Sequence, residues 1–277
     1  MNPVTYSWNP KVRRFKAKPL SYIPLKKRIN NFGDKLGPIF VNKICKALKT
    51  KTKVREVNKN PEGQCLFTIG SVMKFAKTND LIWGSGINGK GLERDQFKFE
   101  SLDIRMIRGP KTKEYLEKIG IKCPSVYGDP GLLFPIFFPE YDIIAKLIPN
   151  KNQKSLFIPN LYDIRNFEVI PDEVKVINPT SKLRKVFEAI AKSREVIGTS
   201  LHGIIIAESL GIPAKIVVSK NEDPFKYEDY LLSTGRNDIK LYDTVGQAMR
   251  GEPLPPPNYS IRSMLKSFPI DFIVKQK

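Results

Sequence analysis

The sequence predicts an α/β protein with two lobes. Short apolar runs alternate with stretches of helical spacing along most of the chain, which is typical of parallel α/β units. The same rhythm restarts after Pro139, which indicates a second unit. We therefore expect an N-terminal lobe over residues 30–140 and a C-terminal lobe over residues 141–250.

The first 29 residues predict an irregular basic and aromatic arm. They mix Lys and Arg with Trp8, Phe15, Tyr22 and several prolines, without a clean helical period. Residues 1–60 hold 16 basic and two acidic side chains, a net charge of +14 against +19 for the whole chain. Such a block attracts polyanions. Nucleic acid, an anionic membrane leaflet and an acidic glycan all satisfy it, and charge alone does not choose among them.

The N-terminal lobe begins with an amphipathic helix and continues with strands. Leu36, Phe40 and Ile44 fall at helical spacing after the turn at residues 31–34, so this helix buries one face. The runs CLFTIG and DLIWGSG are typical of strands, and KTKEYLEKIG of a helix that ends at Gly120. The turn SVYGDPG closes this series.

The C-terminal lobe repeats the pattern. Strand-like runs appear in KSLFIPN, VKVINP, EVIGTS and AKIVVS, and helical stretches in LRKVFEAIAKS and LHGIIIAESLG. The Pro-rich run GEPLPPPN then sets off a segment over residues 251–277, which either packs back or lies on a surface.

Composition excludes several classes of protein. Cys45, Cys65 and Cys123 lie far apart without a CxxC pair, so we expect reduced thiols and neither a zinc site nor a disulfide framework. No apolar run approaches the roughly 18 residues of a membrane span, and no signal peptide is evident. These features predict a cytoplasmic protein.

The run GSGING at residues 84–89 matches the GxGxxG of dinucleotide-binding turns. Those turns need a helix that starts within the glycines, whereas the following KGLERDQF is polar with little apolar period. A loop that lets a ligand approach the backbone, or a purely structural loop, explains the glycines better.

His202 is the single histidine of the chain and follows a predicted strand at the start of a helix. Ligands of open α/β sheets bind at this position, and the helix amides with the hydroxyls of Thr199 and Ser200 form an anion site. An imidazole placed there can transfer protons near neutral pH. A Ser200–His202 nucleophile pair is disfavoured because the GxSxG motif is absent.

Two cations precede or begin predicted helices. Arg108 stands before the turn and helix of GPKTKEYLEKIG, where an arginine can fork onto a carboxylate or phosphate. Lys226 lies among aromatic residues in DPFKYEDYL, a place where its ammonium can be held over a pocket. Each residue taken alone is equally compatible with a surface or structural position.

Taken in order, these segments resemble the polysaccharide pyruvyl transferase family. The resemblance runs from about Asn31 to Leu231 through NFGDKLGP, IWGSGI, IRGPKT, YGDPGLL, IPN, GTSLHGIIIAESLGIPAKIV and DPFKYEDYL. It implies two Rossmann-like lobes in a GT-B-like architecture. It also implies transfer of the enolpyruvyl unit of phosphoenolpyruvate onto two hydroxyls of a sugar, which forms a pyruvate ketal and releases phosphate.

The resemblance also implies roles for particular residues. His202 is the expected acid or base, and the scheme requires no cofactor and no metal. The expected donor-binding residues are Arg108, Lys226, Ser200, Leu201, Gly84 and Ser85. The residues expected to contact the acceptor or to form structural turns are Asn31, Gly33, Asp34, Asp129 and Asn160.

Two positions depart from the family pattern. Relatives often have a histidine where this chain has Asn160, and some have an arginine where it has Ser200. These departures affect the expected donor contacts more than the reaction class.

The expected partners are phosphoenolpyruvate and a sugar or lipid-linked oligosaccharide acceptor, and no nucleic acid is expected. The basic arm predicts attachment to the anionic inner face of the plasma membrane.

Two other functions stay open. A GT-B-type glycosyltransferase would need an acid for the ribose of a nucleotide sugar, with Glu208 and Glu222 as candidates. A nucleic-acid-binding protein fits the charge and the aromatic residues among the lysines.

Overall fold

The computed structural model describes residues 3–13, 26–50, 52–59, 61, 63–148, 153–164, 170–238 and 240–274. Within them, two parallel sheets confirm the prediction of an α/β protein with two lobes. The strands are β1 Val4–Tyr6, β2 Lys11–Arg13, β3 Lys26–Arg28, β4 Arg55–Val57, β5 Leu66–Phe67, β6 Leu81–Trp83, β7 Asp103–Met106, β8 Ser155–Ile158, β9 Val174–Val176, β10 Val196–Gly198 and β11 Ala214–Ile216.

Helices connect these strands and cover the sheets. They are α1 Phe32–Ala47, α2 Pro110–Lys118, α3 Phe134–Phe137, α4 Pro139–Leu147, α5 Leu183–Ala191, α6 Leu201–Ser209, α7 Phe225–Ser233, α8 Val245–Arg250, α9 Ile261–Lys266 and α10 Ile270–Val274. Short 3₁₀ helices occur at Met73–Phe75, Arg94–Gln96 and Pro130–Leu133. None of the helices in the described residues is both long and apolar enough to cross a membrane.

The N-terminal sheet has the strand order β4-β1-β5-β6-β7, and the C-terminal sheet has the order β11-β10-β8-β9. All neighbouring strands in both sheets run parallel. The carboxyl ends of parallel strands meet at one edge of a sheet, where loops converge and ligands bind. Each lobe therefore presents one loop-rich edge.

The prediction of an irregular arm over residues 1–29 is wrong for its first part. Val4–Tyr6 is a buried strand that pairs with both β4 and β5. Its three side chains, Val4, Thr5 and Tyr6, are too few for periodicity to reveal a strand. Phe15 and Tyr22 lie outside the described residues.

The start of α1 lies between the two lobes. Asn31 caps the helix by accepting a hydrogen bond from the backbone N–H of Gly33, and the N–H of Phe32 donates across to the carbonyl of Pro179 at 2.9 Å. Pro38 has no N–H for the carbonyl of Asp34, and this carbonyl instead accepts the hydroxyl of Ser7 at 2.9 Å. The helix start is thereby fixed to both lobes.

One apolar cluster extends through both lobes. It joins Leu36 and Phe40 of α1 to Ile204 and Ile205 of α6, all fully buried. Because α6 is apolar on every side, it is buried between its own sheet and the 3₁₀ turn at Pro130–Leu133. The lobes therefore share a core at the cleft.

The segment after residue 250 packs back onto the N-terminal lobe. The indole N–H of Trp83 donates to the carbonyl of Met264 at 3.1 Å, and its ring meets Phe268 edge-on at 5.0 Å between centroids. Arg105 forms an ion pair with Asp271 at 2.9 Å. We expected this segment either to pack back or to lie on a surface, and in the structure it packs back.

Candidate active site

A cavity of about 160 Å³ lies between the facing edges of the two lobes. Among the residues expected from the sequence to form a site, eight line it: Asn31, Asp34, Arg108, Asn160, Ser200, Leu201, His202 and Lys226. The remaining lining residues are Trp8, Gly70, Ser71, Val72, Lys74, Phe75, Asn88, Leu161, Tyr162 and Glu222. Residues far apart in the chain are thus brought to one place.

His202 occupies the second position of α6, directly after β10. Its side chain is only 14% exposed, and its ring lies against the backbone of α1. A Cβ atom placed on Gly33 would come within 2.8 Å of the Cγ of His202, closer than real side chains allow. The absence of a side chain at Gly33 therefore makes room for the imidazole.

The buried Asp129 faces the imidazole from the N-terminal lobe. Its Oδ1 accepts the N–H of Gly131 at 2.8 Å, and its Oδ2 lies 4.0 Å from the Nε2 of His202. Neither Oδ2 nor Nε2 has a hydrogen-bond partner in the described part of the chain. Asp129 does not line the cavity, so its position suits orientation of His202 and not contact with a ligand.

Burial determines the charge of this pair. It lowers the pKa of His202 to about 3, and the positive charges of Arg108 and Lys226 lower it further. Burial also raises the pKa of Asp129 to about 6, against the hydrogen bond from Gly131. The imidazole is therefore uncharged near neutral pH and can accept a proton.

Arg108 is almost fully buried and joins the lobes. Its Nε donates to Asp229 of α7 at 3.0 Å and its Nη1 donates to the hydroxyl of Ser71 at 2.8 Å, while Nη2 donates to the carbonyl of Ile87. Asp229 also accepts the N–H and the hydroxyl of Thr112, at 2.9 and 2.6 Å. A guanidinium has five N–H groups, so two have no partner among the residues that the structure describes.

Lys226 is the second buried cation of the cavity. Its Nζ donates to Glu222, four residues earlier, at 2.6 Å. Burial lowers the pKa of Lys226, while the charge and hydrogen bond of Glu222 oppose this shift. The charges of Lys226 and Glu222 largely cancel within the cavity. The charge of Arg108 is likewise balanced, by Asp229.

Asp34 contributes a second cavity carboxyl from the first turn of α1. Burial raises its pKa to about 7, the nearby charge of Glu222 acts in the same direction, and Asn31 and Lys226 act against it. It forms no ion pair with any residue that the structure describes. The carboxyl is therefore protonated for part of the time near neutral pH.

Polar groups of the C-terminal lobe complete the lining. The side chain of Ser200 makes no capping hydrogen bond to α6, so it leaves the first amides of that helix uncapped beside the cavity-lining Leu201 and His202. The Oδ1 of Asn160 accepts the N–H groups of Tyr162 and Asp163, at 2.8 and 3.0 Å. Its buried Nδ2 has no hydrogen-bond partner among the described residues, which leaves a donor for a ligand.

Gly84 and Ser85 do not line the cavity, although the sequence predicts donor contacts there. Ser85 is fully buried and its hydroxyl donates to the carbonyl of Gly70 at 2.9 Å. A Cβ on Gly84 would lie 2.7 Å from Pro130, and one on Gly86 would lie 2.6 Å from the guanidinium of Arg108. The glycine run therefore packs behind Arg108, and no helix starts within it.

The acids considered for a nucleotide sugar have other partners. Glu208 is buried and pairs with Arg236, and it accepts the hydroxyl of Tyr230 at 2.6 Å. Glu222 does line the cavity, but its carboxylate is bound to Lys226. Neither carboxylate is left free to hold a ribose.

Several lining residues carry no motif in the sequence. Trp8 lies in the segment taken for an arm, and Ser71 follows strand β5 in a loop without distinctive spacing. Asn88 lies within the run GSGING, but only its glycines were singled out there. Tyr162 lies two residues after Asn160. The turn that follows the strand SLFI is the one sequence signal that could have indicated Tyr162 as a lining residue. The others reach the cavity only through the packing of the lobes.

Comparison with known proteins gives a family match over most of the site. The sequence profile of the polysaccharide pyruvyl transferase family matches residues 63–220. This range covers more than half of the chain and includes Arg108, Asp129, Asn160 and His202.

Two related proteins and one solved structure resemble the chain. An uncharacterised protein of Acanthamoeba polyphaga mimivirus is 27% identical over 231 residues, 78% of this chain and 75% of the relative. The succinoglycan biosynthesis protein ExoV of Rhizobium meliloti is 27% identical over 179 residues, 61% of this chain and 54% of ExoV. A protein of Klebsiella pneumoniae matches in structure with a TM-score of 0.43 and 11% identity, over 88% of this chain and 93% of its own. The GT-B-like arrangement stays a prediction.

Proposed function

The chain belongs to the polysaccharide pyruvyl transferase family, and we propose that it moves the enolpyruvyl unit of phosphoenolpyruvate onto two hydroxyls of one sugar. The products are a cyclic pyruvate ketal and phosphate. The observation that carries this proposal is the cavity that brings two buried cations, Arg108 and Lys226, to the uncharged imidazole of His202.

The donor carries a carboxylate and a phosphate, so its site needs several positive or hydrogen-bond-donating groups. Two N–H groups of Arg108 have no partner in the described part of the chain, and Lys226 adds a charge that Glu222 partly balances. The amides at the start of α6, the hydroxyl of Ser200 and the Nδ2 of Asn160 provide further donors. Phosphate at the start of α6 and carboxylate near Arg108 would satisfy both ends of the donor.

The chemistry proceeds in two steps, an addition followed by a displacement. In the first, a sugar hydroxyl attacks C2 of phosphoenolpyruvate while the methylene carbon gains a proton and becomes a methyl group. In the second, another hydroxyl of the same sugar displaces the phosphate, and the proton of that hydroxyl leaves with it. His202 is uncharged and therefore free to accept the proton of an attacking hydroxyl, and the negative charges of the bound donor would raise its pKa toward the neutral range that suits a base.

The first test is release of phosphate from phosphoenolpyruvate with a panel of synthetic glycosides and lipid-linked sugars. We expect release that depends on the acceptor and falls by roughly 10²–10⁴-fold in His202→Ala. Equal release by both proteins would remove His202 from the chemistry. Turnover of a nucleotide sugar without any phosphate release would instead identify a glycosyltransferase.

The acceptor is a sugar of a bacterial surface polysaccharide or of its lipid-linked precursor. The name of ExoV, which places that relative in succinoglycan biosynthesis, supports a polysaccharide acceptor. Trp8, Asn88 and Tyr162 also line the cavity, and their mixed aromatic and amide character suits the faces and hydroxyls of a sugar ring.

The protein would meet a lipid-linked acceptor at the inner face of the plasma membrane. The antiparallel pair β2–β3 presents exposed Lys11, Lys26, Lys27 and Arg28, which suits an anionic surface. We expect cosedimentation with phosphatidylserine vesicles that high salt reverses and that Lys26→Glu with Lys27→Glu weakens. Lys175→Glu with Lys192→Glu, on the C-terminal lobe, is the charge-matched control, and equal weakening by both pairs would exclude this surface.

A further inference from the structure

The addition step requires two proton-transfer groups in opposite states. The attacking hydroxyl must lose its proton to a base, and the methylene carbon must take a proton from an acid. An imidazole that is uncharged in the cavity can serve as the base. It holds no spare proton for carbon at that moment, so the acid has to be another group of the cavity.

Two carboxyls line the cavity among the described residues, and their surroundings differ. Glu222 accepts a hydrogen bond from Lys226 at 2.6 Å, which keeps it ionised. Asp34 has no cation within ion-pair distance in the described structure and receives its charge stabilisation only from Asn31 and the more distant Lys226. Of the two, Asp34 is the carboxyl that can carry a proton.

Asp34 and His202 border the same small surface. A Cβ built on Gly70 would lie 3.7 Å from the Oδ1 of Asp34 and 4.0 Å from the Cε1 of His202. Because Gly70 has no side chain, the two functional groups flank an open patch of backbone on the cavity wall. A small planar donor lying on this patch has one of them at each side.

The position of Asp34 is fixed by the helix that carries it. Its own carbonyl is held by the hydroxyl of Ser7, and the first amide of α1 is held by Pro179 of the other lobe. Gly33, next to it in the same turn, makes direct contact with the imidazole. The distance between acid and base therefore depends on one rigid turn.

The charge states agree with this geometry. Burial and the charge of Glu222 raise the pKa of Asp34 to about 7, while Asn31 and Lys226 lower it. A doubly charged donor bound beside Asp34 raises that pKa further, because it disfavours another negative charge. Near neutral pH the carboxyl then holds a proton, unlike an ordinary aspartate, while the imidazole is uncharged.

We propose that Asp34 donates the proton that converts the methylene carbon of phosphoenolpyruvate into a methyl group, while His202 accepts the proton of the first attacking hydroxyl. The electron pair of the C=C bond forms the new C–H bond, and the hydroxyl oxygen forms the bond to C2. Asp34 is left ionised and His202 protonated. In the displacement the proton of the second hydroxyl leaves with phosphate, and exchange with water then returns a proton to Asp34 and removes one from His202. This assignment rests on the proposed pyruvyl transfer.

The test uses Asp34→Asn and Asp34→Glu with the exposed Asp172→Asn as a control. We expect Asp34→Asn to lower kcat by roughly 10²–10⁴-fold with less than about a threefold change in KM for phosphoenolpyruvate. Wild-type kcat/KM should fall as pH rises above about 7, where Asp34 of the free enzyme loses its proton, and kcat should fall at a higher pH because the bound donor raises that pKa. Asp34→Glu should retain this decline at a lower kcat, and Asp172→Asn should match wild type.

Transfer of deuterium from D₂O into the product methyl group, followed by NMR, gives a readout on the carbon step itself. An Asp34→Asn enzyme that keeps its kcat or its rate of methyl labelling would overturn the assignment while leaving pyruvyl transfer intact. Wild type that releases no phosphate with any acceptor would reject pyruvyl transfer, and the role of Asp34 with it. If Asp34→Asn is unfolded, Asp34→Glu decides, since loss of the alkaline decline in that folded variant contradicts the proposal.

Discussion

The two lobes build the cavity in different ways. The C-terminal lobe places Ser200, Leu201 and His202 there from one strand-to-helix junction, and adds Asn160 after β8 and Lys226 of α7. The N-terminal lobe reaches the cavity from separate loops, including those that carry Ser71 and Arg108. A site made at one junction is visible as a local motif, whereas a site made from scattered loops exists only once the lobe has folded and docked.

The buried cations show the same difference. Lys226 is paired with Glu222 from the bend just before its own helix, while Arg108 is paired with Asp229, 121 residues away in the other lobe. Arg108 thus serves both the cavity and the contact between the lobes. Changes on the N-terminal side should therefore affect stability and chemistry together.

The largest effect is expected for Asp229→Ala. The change leaves the guanidinium of Arg108 buried without its counter-charge and removes two hydrogen bonds from Thr112. We expect the free energy of unfolding to fall by about 3–5 kcal/mol, measured by urea denaturation. The neighbouring Glu228→Ala removes only the partly exposed pair with Lys111 and should cost less than about 1 kcal/mol. Equal losses would contradict a structural role for the buried pair.

Gly33→Ala tests whether the N-terminal lobe positions the histidine of the C-terminal lobe. Alanine within a helix normally stabilises by about 0.5–1 kcal/mol relative to glycine, but here its Cβ would overlap the imidazole of His202. We expect kcat/KM to fall by about 100-fold, because displacements near 1 Å have that effect. Gly246→Ala in α8, where the nearest atom is 3.8 Å away, should leave activity unchanged. Wild-type activity in Gly33→Ala would show that this contact does not position His202.

The pH dependence of stability tests the burial of His202. The folded pKa of about 3 lies below the ordinary 6.5, so only the unfolded chain binds this proton between those values. Stability is therefore lost as pH falls from about 6.5 toward 3. Between pH 7 and pH 5 the wild type should lose on the order of 1–2 kcal/mol more unfolding free energy than His202→Asn, as followed by thermal unfolding of both proteins. Parallel curves would place the imidazole in water.

The smallest effect is expected for Asn160→Asp. The change keeps the oxygen that accepts the N–H groups of Tyr162 and Asp163, and replaces the unpartnered Nδ2 by an acceptor. An anionic donor should then bind about tenfold more weakly, seen as a rise in KM for phosphoenolpyruvate. Asn178→Asp, an exposed asparagine that also accepts from the backbone, is the matched control. An unchanged KM would remove Asn160 from the donor site.

Much of the fold was predictable because helices and strands leave local patterns. The apolar spacing of Leu36, Phe40 and Ile44 indicated α1, and the junction before His202 indicated both the strand and the helix around it. Strand β1 was missed because a strand of three residues is too short to show the alternation of apolar and polar side chains that identifies a strand. The five-stranded sheet, with β1 inside it, is a property of pairing between distant segments.

The sequence by itself determined the α/β class, the position of His202 at a helix start and the family of the chain. These depend on hydrogen bonding and burial among neighbours along the chain, which periodicity and motifs record. Only the tertiary structure decided that Arg108 pairs with Asp229, that Gly84 and Ser85 stand behind Arg108, and that Asp34 shares a surface with His202. Such pairings follow from how the two lobes pack, and packing brings distant residues together without any pattern in the sequence around either residue.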